Sequence, residues 1–160
     1  MRIIGGKNKG KKIYLPLDKN TRPLRDLVKE SIFNLIQHSN KFSVSILNSN
    51  VLDLFSGTGS FGLECFSRGA KFITFVENYA LVLNILKKNI YNMNAFSCSE
   101  IIENNCFELM DENKNFSKKF DIIFLDPPYN YKNINFLIDQ IIDQKILKNN
   151  GIILIHRHKK

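Results

Sequence analysis

Hydrophobic and polar positions follow a regular alternation from Asn50 onward. Short runs of consecutive apolar residues alternate with longer stretches in which apolar residues recur every three or four positions. The first pattern is typical of strands buried on both faces, and the second of amphipathic helices. It predicts strands over 51–54, 72–76, 99–102, 121–125 and 151–155, and helices from about residue 60, over 79–91, after residue 106 and near 134–142. Five strands separated by helices predict an α/β fold with a mostly parallel sheet and helices on both faces.

The first third of the chain shows two other patterns. Apolar stretches at 2–4 and 12–15 flank a turn rich in Gly and Lys, which predicts a β-hairpin with cations at its tip, a flexible basic arm being the alternative. The following stretch predicts a helix with one apolar stripe, made of Leu24, Leu27, Val28, Ile32, Leu35 and Ile36. We therefore expect one domain over 1–160, with a hairpin extension at 1–20 and a core at 21–160.

Positive charge is concentrated at the start of the chain. The formal net charge is +8, and nine cations face two carboxylates within residues 1–29. Such a cluster favours an anionic partner. The candidate contacts are Arg2, Lys7, Lys9, Lys11, Lys12, Arg22, Arg25 and Lys29.

Several classes of protein are disfavoured by the sequence. The longest apolar runs fall far short of the roughly 20 residues that span a bilayer, and no signal-peptide stretch follows Met1. The three cysteines form no CxxC pair and have no His at zinc-ligand spacing. We expect a soluble, cytoplasmic protein with free thiols, no structural metal and no membrane partner.

Chemistry-bearing residues follow the first predicted strand. The segment "VLDLFSGTGSFGLE" passes from a strand through Gly57-Thr58-Gly59 directly into a helix. Glycines there allow a tight turn and leave room for a ligand beside the backbone. Asp53 changes the interpretation, because a carboxylate at this place would repel a pyrophosphate and could instead hold an ammonium group or an ordered water.

Two further strands end in polar motifs. Glu77, in "FVEN", lies about 20 residues after the glycine loop, where a doubly wound fold presents a carboxylate to a ribose. Asp126, Pro127, Pro128 and Tyr129 follow the fourth strand, and the two prolines stop the strand and stiffen its end.

These motifs, in this order, resemble those of S-adenosylmethionine-dependent methyltransferases that modify exocyclic amines. Together with "RIIGGKNKGKKI", "TRPLRDLVKESIFN" and "SRGA", they resemble the bacterial RsmD family of guanine-N2 methyltransferases of 16S ribosomal RNA over essentially residues 1–155. The resemblance implies a Rossmann-like methyltransferase fold whose N-terminal hairpin helps to grip RNA. It also implies closing C-terminal strands that are apparently missing from this chain, which stops at "IHRHKK".

The resemblance assigns roles residue by residue. S-adenosylmethionine would be held by Asp53, Phe55, Ser56, Gly57, Thr58, Gly59, Glu77 and Asn78, with Asn105 and Cys106 at its adenine. Asp126 would accept hydrogen bonds from the guanine amine, the carbonyl of Pro127 would aim at the same amine, and Tyr129 would stack on the base. The pattern departs from the family at Leu24, Arg25, Leu27 and Lys29.

The expected function is methyl transfer to the N2 amine of a guanosine in 16S ribosomal RNA, within the small subunit or its assembly intermediate, by a monomer. The alternatives are an N6-adenine DNA methyltransferase, because the "DPPY" motif serves there too, and a non-catalytic ribosomal RNA-binding module. His156 and His158 are expected to be solvated rather than catalytic.

Overall fold

A five-stranded parallel sheet forms the centre of the structure. The computed structural model describes residues 1–17, 24–111, 116–128 and 133–157. The strands are β1 (Asn50–Leu54), β2 (Phe72–Glu77), β3 (Ser99–Glu103), β4 (Phe120–Leu125) and β5 (Leu147–Ile155), in the order β3-β2-β1-β4-β5. All neighbouring strands pair in parallel, as the uninterrupted apolar runs predicted.

Helices connect the strands as the sequence pattern predicted. They are α1 (Asp26–His38), α2 (Ser60–Ser67), α3 (Ala80–Asn92), α4 (Cys106–Asp111) and α5 (Ile134–Asp143), with a short 3-10 turn at Phe96–Cys98. Most boundaries agree with the prediction within one residue. Two elements differ: β5 begins four residues earlier than predicted, with Leu147 paired to Phe120 across a register shift, and α1 begins at Asp26, after Leu24 of the predicted stripe.

The sheet separates two hydrophobic cores. Helices α1, α2 and α3 cover one face, where Phe33, Phe61 and Phe124 stack in succession with ring centroids 5.4 and 4.0 Å apart. Helices α4 and α5 cover the other face through Leu109 and Leu137. The prediction of helices on both faces is confirmed, and the carboxyl ends of the strands are left open between the two layers.

Helix α1 buries only part of the apolar stripe that the sequence predicted. Leu27 and Leu35 are 74% and 48% exposed, whereas Lys29, Phe33 and Ile36 are buried. The stripe interpretation is therefore wrong at those two leucines. Lys29 therefore takes a buried position on this face. A cation is tolerated there because carboxylates and a backbone carbonyl compensate its charge.

That cation, Lys29, belongs to a network that joins three segments. Its Nζ donates to the carbonyl of Arg2 and lies 3.7 Å from Glu64 and 3.4 Å from Asp26. Glu64 is itself fully buried and accepts from the backbone N–H groups of Ile4 and Gly5. Burial lowers the pKa of Lys29, and the two carboxylates oppose that shift. Because a buried charge is tolerated only when paired and hydrogen-bonded, the network attaches the N-terminal segment to α1 and α2.

The N-terminal segment is a compact hairpin. An antiparallel bridge joins Arg2 to Lys12, and the N–H of Ile13 donates to the carbonyl of Met1. The predicted hairpin is confirmed, with one bridge in place of two regular strands, and the flexible-arm alternative is wrong for residues 1–17. Gly6 has a φ of +72°, and a Cβ there would lie 1.9 Å from the carbonyl oxygen of Ser67. The hairpin backbone therefore packs directly on α2.

Strand β5 is an edge strand within the described residues. Ile152, Ile153 and Leu154 are only partly buried, whereas residues 122–125 of the neighbouring strand are fully buried. Among the helices that the structure describes, none combines the length and apolarity that a bilayer span requires.

Candidate active site

The motifs predicted to carry chemistry meet at one edge of the sheet. Strands β2, β1 and β4 are neighbours, with Leu54 paired to Val76 on one side and to Leu125 on the other. Glu77 and Asp126 therefore flank the loop that follows β1. This is the point at which the strand order reverses, where open α/β sheets bind ligands.

Three N–H groups of the glycine loop donate to acceptors in β2 or in the loop itself. The N–H of Ser56 donates to the carbonyl of Val76 at 3.0 Å, that of Gly57 to Glu77 Oε2 at 2.8 Å, and that of Gly59 to the carbonyl of Ser56 at 2.8 Å. A phosphate cradle requires such groups to point at the ligand. The loop is therefore built as a rigid turn rather than as a pyrophosphate site.

Positive φ values explain the glycines and one exception. Gly57 and Gly59 have φ of 54° and 80°, and Phe55 adopts 60° without being a glycine. A Cβ at Gly59 would lie 2.5 Å from Leu86 Cδ1, so the loop packs tightly on α3. Thr58 is buried, and its carbonyl accepts from Asn89 Nδ2 at 2.9 Å.

Glu77 is held by three backbone donors. Its Oε1 accepts from Asn78 and Tyr79 at 2.9 and 2.8 Å, and its Oε2 accepts from Gly57. A carboxylate has about four lone-pair positions, so this half-buried group can also accept from a ribose hydroxyl. Asn78 itself is exposed, and its backbone N–H is the group that donates to Glu77.

Asp53 lies beneath the loop with 1% of its surface exposed. Its Oδ2 accepts from the N–H of Gly62 at 3.0 Å. Burial raises the pKa of Asp53 well above its usual value, and the negative charges of Asp126 and Glu77 raise it further. The three carboxyl groups belong to three neighbouring strands and the residues that directly follow them.

This set of groups fits the cofactor that the resemblance implied. S-adenosylmethionine carries a sulfonium and an ammonium group and no phosphate. The carboxylates of Glu77 and Asp126 favour such cations, whereas they would repel the pyrophosphate of a dinucleotide. The glycine loop agrees with the same conclusion, because the N–H groups of Ser56, Gly57 and Gly59 already donate to acceptors within the protein.

Asn105 and Cys106 lie at the start of α4. The side-chain oxygen of Asn105 caps this helix by accepting from the N–H of Phe107 at 2.9 Å. Cys106 is 3% exposed, and burial raises the pKa of its thiol to about 12, with a backbone hydrogen bond from Phe55 opposing the shift. The thiol is thus neutral and in contact with the glycine loop.

A cluster of aromatic side chains next to Asn105 and Cys106 was not predicted from the sequence. Phe107 meets Phe55 edge to face at 6.0 Å and stacks on Phe136 at 6.3 Å between ring centroids. All three side chains are only partly buried. Phe107 could have been predicted from the sequence, because it follows Asn105-Cys106 directly. The position of Phe136 could not, because it depends on how α5 packs against α4.

The "DPPY" segment is only partly described. Asp126 and Pro127 are half-buried and Pro128 is exposed, while the predicted stacking residue Tyr129 lies outside the described residues. Asp126 Oδ1 lies 2.8 Å from Nδ1 of His156. The expectation that His156 is merely solvated is therefore wrong, while His158 lies outside the described residues.

The predicted RNA contacts differ in their exposure. Lys29 is fully buried and bonded to the protein, so its assignment to RNA is wrong in this structure. Arg22 lies outside the described residues. The exposed members of the set are Arg2, Lys7, Lys9, Lys11, Lys12 and Arg25.

The hairpin links these cations to the glycine loop. Its tip packs near the C-terminal ends of α2 and α3, with Lys7 Nζ 3.8 Å from the ring centroid of Phe66 and Lys11 Nζ 3.4 Å from the carbonyl of Asn92. Its second arm reaches the loop through the fully buried Asn89. That side chain accepts from the N–H of Tyr14 at 2.8 Å and donates to the carbonyl of Thr58.

Comparison with known proteins decides the family. Residues 1–160 match the model of the family described as conserved hypothetical protein 95. The chain belongs to this family. The relatives named ribosomal RNA small subunit methyltransferase D include one from Buchnera aphidicola subsp. Acyrthosiphon pisum, 36% identical over 99% of this chain and 78% of the relative. Another, from Haemophilus influenzae, is 34% identical over 99% of this chain and 79% of the relative. The predicted RsmD resemblance is confirmed.

Solved structures agree with this family. A protein of Escherichia coli described as a candidate methyltransferase superposes with a TM-score of 0.79 at 30% identity, covering 97% of this chain and 79% of that one. A candidate methylase of Haemophilus influenzae gives 0.74 at 33% identity, covering 96% and 79%. The predicted Rossmann-like methyltransferase fold is confirmed for this family member.

Proposed function

We propose that the protein transfers a methyl group from S-adenosylmethionine to the exocyclic N2 amine of a guanosine in 16S ribosomal RNA. The observation that carries the proposal is the position of the Asp126-Pro127-Pro128 segment. It follows β4 directly, on one side of the loop of β1, while the carboxylate that ends β2 lies on the other side of that loop. A cofactor bound over Glu77 and the loop would therefore lie within reach of a base held at Asp126.

The cofactor side of the site needs only groups already in place. When bound, S-adenosylmethionine supplies an electrophilic methyl group on a sulfonium. Glu77 would accept from its ribose hydroxyls, and the turn from Phe55 to Gly59 would line its methionine part. Asn105, Cys106 and the neighbouring Phe107 would border the adenine. Because the loop is internally bonded, it would need little rearrangement on binding.

The base side depends on Asp126 and the prolines. The lone pair of a guanine amine is delocalised into the ring, so an acceptor that holds its hydrogens can orient the nitrogen for in-line attack. The carboxylate of Asp126 would be that acceptor and would receive the proton that the amine loses. Pro127 would aim its carbonyl at the same amine, and Tyr129 would stack on the base.

The RNA partner is inferred from charge and from the names of relatives. Those relatives are named as methyltransferases of small-subunit ribosomal RNA. The six exposed cations of the N-terminal set would attract phosphates without reading sequence. We further propose that the protein acts as a monomer on the small subunit or its assembly intermediate, as a single domain over 1–160.

Methyl transfer from labelled S-adenosylmethionine tests the proposal. The substrates are small subunits lacking the modification, naked 16S RNA and duplex DNA, followed by nucleoside analysis. We expect N2-methylguanosine from RNA, and a loss of at least about 100-fold in Asp126→Ala because the amine is no longer oriented. Asp139→Ala, an exposed carboxylate of α5, is the matched control and should retain activity.

Other outcomes would replace the proposal. N6-methyladenine in DNA would identify the alternative enzyme. Tight RNA binding without any methyl product, unaffected by Asp126→Ala, would indicate a binding module. If a related enzyme methylates the same RNA preparation and this protein does not, the proposed activity is wrong.

A further inference from the structure

His156 is fixed next to Asp126 by the sheet itself. Leu125 and Ile155 are partners in the parallel ladder of β4 and β5, so the residues that follow them lie side by side. The N–H of His156 donates to the carbonyl of Leu125 at 2.9 Å. Its ring nitrogen Nδ1 lies 2.8 Å from Asp126 Oδ1. Backbone and ring are thus both bonded to the end of β4.

The contact has the features of an orienting interaction. Both side chains are 26% exposed, so the pair lies at the rim of the site and is partly shielded from water. The terminal torsion of an aspartate side chain is broad, and its two oxygens exchange places by rotation. An N–H donor on one oxygen restricts that rotation, and a hydrogen bond to an ionised carboxylate is stronger than one between neutral groups. Because Asp126 has other acceptor positions, it can bind His156 and an amine simultaneously.

We infer that His156 is a positioning residue for methyl transfer: its Nδ1–H holds the carboxylate of Asp126 in the orientation that meets the guanine amine. This rests on the proposed function of Asp126. The histidine acts through Asp126 and does not touch the base. The donor is assigned to Nδ1 because the carboxylate is an acceptor when ionised.

The role predicts an effect on turnover rather than on binding. Removing the donor leaves the RNA-binding cations and the cofactor loop unchanged, so KM for RNA and Kd for S-adenosylmethionine should stay within about 2-fold of wild type. The turnover number should fall by roughly 10- to 100-fold, because a small displacement of an orienting group has effects of that size.

Three substitutions of His156 separate orientation from packing. His156→Leu removes the donor and keeps an apolar side chain of similar bulk. His156→Asn retains an N–H donor attached to Cγ, as Nδ1 is, and should restore most of kcat. His156→Gln places its donor one bond farther out and should rescue less. His38→Leu removes an exposed histidine at the end of α1 and is the matched control.

The measurements are kcat, KM for RNA, Kd for S-adenosylmethionine and the thermal midpoint of each variant. Asp126→Ala combined with His156→Leu should be no slower than Asp126→Ala alone, since the histidine has no role without its partner. The inference is overturned if His156→Leu matches wild type, if His156→Asn is as slow as His156→Leu, or if the loss is in Kd and thermal midpoint instead of kcat. Absence of methylation by the wild type would instead reject the proposed function itself.

Discussion

At the scale of single residues, position in the fold changes what a side chain can do. Asp53 is a buried carboxyl group whose pKa is raised by burial and by two neighbouring acids, while its oxygen accepts from Gly62. Lys29 is a cation enclosed by the protein, and His156 is held on Asp126. The sequence predicted a cofactor-binding acid, an RNA contact and a solvated imidazole at these three positions.

The raised pKa of Asp53 predicts a specific dependence of stability on pH. The folded state retains the proton of Asp53 above the ordinary value of 3.8, at which the unfolded chain releases it. The folded state therefore binds more protons, and this group's contribution to the free energy of unfolding falls as pH rises from about 4 toward the raised pKa. Asp53→Asn keeps an acceptor for the N–H of Gly62 and cannot ionise.

Urea unfolding from pH 4 to pH 8 checks this expectation. The difference in the free energy of unfolding, Asp53→Asn minus wild type, should increase with pH because only the wild type pays for ionising this group. Asp139→Asn, at an exposed site, should show no such trend. A flat difference for Asp53→Asn would contradict the raised pKa.

At the scale of elements, the hairpin, α1 and α2 depend on one another. The backbone of the hairpin lies on α2, where Lys7 N donates to the carbonyl of Ser67 at 2.8 Å and Asn8 N donates to Ser67 Oγ at 2.9 Å. Glu64 and Lys29 add the buried charged pair beneath it. Since the cations of the hairpin act only if it stays in place, its docking is a condition for RNA binding in the proposed function.

Two glycines of the hairpin provide a matched test of that docking. Gly6 and Gly10 both have positive φ, +72° and +88°, but a Cβ at Gly6 would overlap Ser67 whereas one at Gly10 meets nothing within 4 Å. Gly10→Ala should cost about 1 kcal/mol of backbone strain alone. Gly6→Ala should cost roughly 3 kcal/mol or more, because the hairpin must move off α2.

Chemical denaturation and filter binding to 16S RNA measure the two consequences. Gly6→Ala should lose RNA affinity while it keeps its affinity for S-adenosylmethionine at temperatures where it remains folded. Equal effects of the two substitutions on stability and RNA binding would show that the close contact with Ser67 is unimportant.

At the scale of the whole molecule, charge is distributed unevenly. The net charge of +8 includes the exposed cations of the hairpin, but also lysines elsewhere. Lys119 and Lys148 line a groove of about 440 Å³ at the amino ends of β4 and β5, opposite the candidate active site. Each lysine carries one positive charge in either place, so position must separate the roles of the two groups.

The salt dependence of RNA binding distinguishes them. Each phosphate contact removed should lower the slope of log K against log salt by about 0.7 to 0.9, so Lys9→Ala with Lys12→Ala should lower it by roughly 1.5. The control pair, Lys119→Ala with Lys148→Ala, makes the same change in net charge and should leave the slope nearly unchanged. Equal slopes for the two double variants would mean that net charge alone attracts the RNA.

Much of this architecture could be predicted because its signals are local. Apolar runs and glycine turns report strands, helices and their order, since a strand buried on both faces needs consecutive apolar residues and a helix on the sheet needs one apolar face. The meeting of Glu77, the glycine loop and Asp126 could be predicted for the same reason. Each lies at or directly after the end of a strand, and parallel strands end at the same edge of the sheet.

Only the tertiary structure decided which polar groups are buried and which lie together. The exposure of Leu27 and the burial of Lys29 depend on the presence of Glu64, which is 35 residues away in the chain. The pairing of His156 with Asp126 requires the register of β4 and β5, and the role of Asn89 requires the hairpin to return to α3. Sequence determined the elements, because hydrophobic periodicity and backbone propensity act over a few residues. Structure decided the environments, because desolvation and charge pairing act between segments that meet only after folding.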